Sequence, residues 1–92
     1  MPVFMVQRSL KGIPMNQLGA AQERAIATAA QMQAAGESVR YIRSAYVPDT
    51  GQCNCLFEAD EVEQVEKLNQ MAGIPFDKVV PAMDLSPQAQ EA

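Results

Sequence analysis

The segment SVRYIRSAYVPDTGQCNCLFEA, Ser38–Ala59, holds two alternating runs on either side of a Pro-Asp-Thr-Gly turn. Proline presets φ for a turn and glycine permits positive φ, so the two runs read as a β-hairpin. Working outward, Asp60 and Glu63 form a capping-box pattern that opens a helix through Val62, Val65, Leu68 and Ala72. Glu63 and Lys67 make an i, i+4 pair on its outer face. Gly73 and Pro75 close that helix, and FDKVVPAM supplies a last strand. Pro81 places this strand at a sheet edge or bulge, because proline cannot donate to a ladder.

Upstream, VFMVQR, Val3–Arg8, is apolar on both faces and reads as a central strand. Asn16 is a good N-cap for a long helix running to Ala35. Leu18, Ala21, Ala25, Ala29 and Met32 recur at spacings of three and four and give it one apolar stripe. Gly36 sits where a left-handed residue ends a helix. The order is β-α-β-β-α-β, the split βαβ arrangement. The expected fold is therefore α+β and ferredoxin-like, a four-stranded antiparallel sheet with two helices on one face and dimerisation through the other. Residues 1–85 form the expected domain, and the polar stretch 86–92 a fraying C-terminal tail.

Alternation assigns faces. Cys53, Cys55 and Phe57 share one face of their strand, and Asn54, Leu56 and Glu58 the other. With Ile42 and Leu56 taken as core beneath the helices, Tyr41, Arg43, Cys53, Cys55 and Phe57 are expected on the open face. An apolar face of that kind on 92 residues calls for a partner, and a twofold homodimer is the commonest solution.

Composition narrows the function classes. A net charge of −4 with seven basic residues forms no basic patch, which argues against nucleic acid or an anionic membrane surface as partner. MPVFMVQRSL has no signal-peptide pattern and no apolar run approaches about 20 residues, so the expected compartment is the cytoplasm, with thiols reduced. There is no histidine, which removes the usual Cys–His nucleophile pair. Cys53 and Cys55 are the only thiols and have three readings. They pack as small hydrophobes, they are activated by Arg43, or they bind a thiophilic metal completed by a second subunit. Free cysteine's tendency to be buried favours packing. Tyr41 and Arg43 are also candidates to anchor an anionic or aromatic small molecule, or to sit in the cavity of a cofactor-free isomerase- or monooxygenase-like enzyme. A purely structural or interaction role is a further alternative, and nothing in the residues names a cofactor or substrate.

MVQRSLKG, YIRSAYVP, CNCLFEAD and MAGIPFDKVVPAMDL occur in the order seen in one family. From Pro2 to Leu85 the chain resembles the small bacterial nickel-binding-protein-like family. The resemblance implies a ferredoxin-like fold, a homodimer through open sheet faces, and metal binding by histidine in at least some members. Where it places a histidine, before Ser44, this chain has Arg43; where it places glutamate before Arg8, this chain has Gln7; Cys55 matches its hairpin cysteine. The expected role is a small dimeric binding protein holding a small ligand or metal at the sheet-face interface, with Gln7, Tyr41 and Arg43 as ligand-binding positions and Cys53 and Cys55 as metal positions. Nickel affinity is expected to be weak, since arginine repels and cannot ligate a cation.

Overall fold

The computed structural model of the protein describes residues 1–85 and residue 87. The expected tail, 86–92, lies apart from Pro87 outside the described residues. Six elements follow in the expected order: β1 Val3–Ser9, α1 Met15–Ala34, β2 Val39–Val47, β3 Gln52–Ala59, α2 Val62–Met71 and β4 Lys78–Ala82. The strands form one antiparallel sheet in the order β2-β3-β1-β4, so β1 is central and Pro81 lies on an edge strand. This is the ferredoxin-like α+β fold.

Three local readings shift. α1 begins at Met15 with Pro14 as N-cap, and Asn16 lies inside the helix. The Pro14 carbonyl accepts the Gln17 and Leu18 amides at 3.0 Å each, so the first turn closes without a side-chain cap. α2 is capped one residue later than expected. Glu61 and Gln64 form the capping box, and Gln64 Oε1 accepts both the Asp60 and Glu61 amides at 3.0 and 3.1 Å. Lys67 turns away from Glu63 and pairs with Glu37 at 2.8 Å, joining α2 to the end of α1. There the helix stops as the sequence reads. Gly36 has φ 92, its amide bonds Gln33 O, and the Glu37 amide bonds Met32 O at 2.9 Å, the two bonds of a Schellman motif.

Core position is where the face assignment changes. Phe4 and Val6 of β1, Cys53, Cys55, Phe57 and Ala59 of β3, and Ala21, Ala25, Ala29 and Met32 of α1 form one buried cluster with Val65 and Leu68 of α2. Cys53, Cys55 and Phe57 therefore point under the helices, and Leu56 points to the open face. The expected assignment of β3 is reversed. Leu56 is the large apolar residue of the other face, but Phe57 is larger still and is fully buried beside two thiols that bury with it.

On β2 a bulge falls between Tyr41 and Arg43. Before it, Tyr41 lies opposite Phe57, their rings 5.3 Å apart; after it, Arg43 lies opposite Leu56 and Ser44 opposite Cys55. The extra residue Ile42 breaks strict alternation, so Tyr41 faces the helices while Arg43 faces out.

Candidate functional site

Small side chains on two facing elements create the space that larger ones would fill. α1 presents Gly19, Ala21 and Ala25 to the sheet; β3 presents Cys53 and Cys55 beneath them. Between them lies a half-open cavity of about 240 Å³. Leu10, Leu18, Phe57 and Ile74 supply apolar wall, with Met15 in the first turn of α1. Gln22, Ser44 and Tyr46 supply polar groups, and Arg8 is the one charged side chain among the described lining residues. For scale, a dry cavity of about 150 Å³ accepts benzene.

The rim is held by a chain of hydrogen bonds. Tyr46 Oη donates to the Leu10 carbonyl at 3.0 Å, and the Leu10 amide donates to the Gly51 carbonyl at 2.7 Å. Gly51 has φ 78, and a Cβ there would collide with the Lys11 backbone. Only glycine satisfies both conditions. At the other end, Gln22 Nε2 donates to Tyr41 Oη at 3.1 Å, and Tyr41 Oη and Ser44 Oγ share a bond of 2.7 Å.

Arg8 is the residue that sequence reasoning missed. Its residue exposure is 2%, and its side chain runs to the loop after α2. Nη2 donates to Asn69 Oδ1 at 2.8 Å and Nη1 to the Pro75 carbonyl at 3.2 Å. Asn69 is itself buried and is oriented by its own bond from Nδ2 to the Val65 carbonyl at 2.9 Å. Both acceptors are neutral. Nε is buried with no hydrogen-bond partner, and no salt bridge to Arg8 exists among the described residues. A signal was available in the sequence: Phe4, Val6 and Arg8 alternate on one face of β1, which puts a cation on the core side.

The two thiols touch, Sγ to Sγ 3.8 Å. Burial, together with the neighbouring Cys55 charge and hydrogen bond, pushes the Cys53 thiol up to about 11 from its ordinary 9.0, and Arg8 pulls it partly back. Cys53 is consequently a neutral thiol at physiological pH. The alternative of activation by Arg43 does not fit, because Arg43 lies on the other face of the sheet.

The expected ligand set is not gathered in one place. Gln7 and Arg43 are on the open face, and Tyr41 is on the helix side. Arg43 makes a two-bond ion pair with Asp84, at 3.1 and 3.0 Å. Cys53 and Cys55 lie beneath α1, so they do not meet symmetry mates through the open face. No group of three or more histidine, cysteine, aspartate or glutamate side chains suited to a metal ion occurs among the described residues. No described helix is long and apolar enough to cross a membrane. The open face itself carries Val3 and Met5 of β1, Leu56 of β3, and Val80 and Ala82 of β4, flanked by the Arg40–Glu58 and Arg43–Asp84 pairs.

Residues 4–81 match the protein family described as nickel responsive protein SCO4226-like. The crystal structure of SCO4226 from Streptomyces coelicolor A3(2) is similar in fold. It is 24% identical, the match covers 91% of this chain and 99% of that one, and the TM-score is 0.76. No curated protein sequence matches the chain.

Proposed function

Since the chain belongs to the SCO4226-like family of nickel-responsive proteins, we propose that it is a small homodimeric binding protein whose ligand enters the cavity beneath α1. The observation that carries this reading is the cavity itself, about 240 Å³, walled by apolar groups with a few convergent polar ones. Binding is favoured over catalysis because the described lining holds no carboxylate or imidazole to serve as a base, and Cys53 is a neutral thiol. The thiols are wall, and the open sheet face pairs two copies.

The family's response to nickel is carried over only as a weak affinity here. The chain has no imidazole, and Arg43 is engaged by Asp84. Calorimetric titration of reduced protein with nickel should show no submicromolar site; a stoichiometric one lost in Cys53→Ser or Cys55→Ser would restore a thiolate metal function.

The cavity is tested with benzyl alcohol as a neutral probe, followed by amide and methyl NMR shifts. Saturable shifts are expected around Ala25, Cys55 and Phe57, and not in Gly19→Leu. Position 19 has no heavy atom within 4 Å of an added Cβ, so a leucine there occupies the cavity without disturbing the helix. Shifts that are unsaturable, or unchanged in Gly19→Leu, would sink the reading.

A further inference from the structure

A buried guanidinium normally has a carboxylate. Removing an ion of this size from water costs several kcal/mol, which is recovered only through close opposite charge and complete hydrogen bonding. Arg8 has neither. Its two acceptors, Asn69 Oδ1 and the Pro75 carbonyl, are uncharged, and its Nε–H has none. The residue lines the cavity, and no acidic residue shares that lining among the described residues. The first turn of α1 borders the same space, with no acidic residue and no side-chain cap to offset its positive end. The one formal charge on the wall and the helix end beside it are thus both positive.

We propose that the ligand of this cavity is a small monocarboxylate with an apolar body, whose negative charge balances the buried cation of Arg8. This rests on the reading of the cavity as a ligand site and specifies its chemistry. One buried cation balances one negative charge, which suits a carboxylate better than a phosphate dianion. Coulomb attraction to the uncompensated guanidinium, strong in so poorly solvated a place, distinguishes a carboxylate from a neutral molecule of the same shape. The rest of the lining is dominated by Leu10, Leu18, Phe57 and Ile74, which receive a single ring or a short chain. The neutral Cys53 thiol is compatible with that anion, because an ionised thiol beside it would repel it.

The test compares benzoate, benzamide, benzyl alcohol and inorganic phosphate on the reduced wild-type protein by calorimetry, with the Arg8 Nε–Hε resonance followed by NMR. Benzoate should bind at least about tenfold more tightly than either neutral analogue, the effect of pairing its charge with a buried, uncompensated cation. It should also move the Nε–Hε resonance, which benzyl alcohol should leave in place. Arg8→Met should bring benzoate down to the affinity of benzamide while keeping benzyl alcohol binding. If that variant does not fold, the wild-type resonance still decides. Equal affinities for benzoate and benzamide, an unmoved Nε–Hε signal, or phosphate binding as tightly as benzoate would overturn the carboxylate assignment and leave the cavity reading standing. No binding by any of the aromatic probes would overturn both.

Discussion

Raising the pH should weaken this protein through one buried thiol. Cys53 has 3% exposure, and its folded-state value of about 11 lies above the ordinary 9.0 that it regains on unfolding. Below pH 9 the thiol is neutral in both states and the native environment is undisturbed. Between about pH 9 and 11 the unfolded chain loses the proton first and therefore binds fewer protons than the native one, so stability falls as pH rises. The full difference corresponds to about 2–3 kcal/mol. The same difference lowers the native thiolate fraction at neutral pH about a hundredfold, before burial slows a reagent further. Two assays read it. Urea unfolding from pH 8 to 11 should show wild type losing about 2 kcal/mol more than Cys53→Ala, which carries the same lysines and tyrosines but not this thiol. Iodoacetamide should label native Cys53 more than a hundredfold more slowly than the urea-unfolded chain. Because Cys55 raises the Cys53 value both by its charge and by its hydrogen bond, Cys55→Ala should bring the midpoint of the alkylation profile down. Parallel pH profiles for wild type and Cys53→Ala, or rapid labelling in the native state, would refute the argument.

Two further outcomes are expected. Gly12 and Gly51 both have positive φ, 82 and 78, but only Gly51 faces the Lys11 backbone. Gly12→Ala should cost about 1–2 kcal/mol, the left-handed penalty alone, and Gly51→Ala about 1–3 kcal/mol more through overpacking, measured by chemical denaturation. Equal costs would mean that the hairpin and the β1–α1 loop do not press together. Light scattering at micromolar concentration should give about twice the chain mass, and Leu56→Lys, opposite Met5 at the centre of the open face, should give a monomer. A dimer that survives Leu56→Lys would place the interface elsewhere.

The sequence by itself determined the elements and their order. Their signals are local: alanine and methionine at helical spacing from Ala21 to Met32, a glycine at the end of α1, a proline–glycine turn between two alternating runs, and a proline on β4 that confines it to an edge. Capping positions were legible to within one or two residues: on α2 neighbouring polar side chains compete for the same amides, and on α1 the Pro14 carbonyl closes the first turn with no side-chain cap. Which face of β3 is core was not local. Cys53-Cys55-Phe57 and Asn54-Leu56-Glu58 both alternate, and each contains one large apolar residue. The choice is made by the side on which α1 and α2 pack, and by one inserted residue at Ile42 that turns Tyr41 and Arg43 to opposite faces. The cavity depended on tertiary structure for the same reason. Gly19, Ala21 and Ala25 are distant in sequence from Cys53 and Cys55, and space arises only where small side chains meet across the two layers. Arg8 was readable as a cation on the core side of β1, but the lack of a carboxylate beside it is a property of everything packed around it, and no stretch of sequence contains that information.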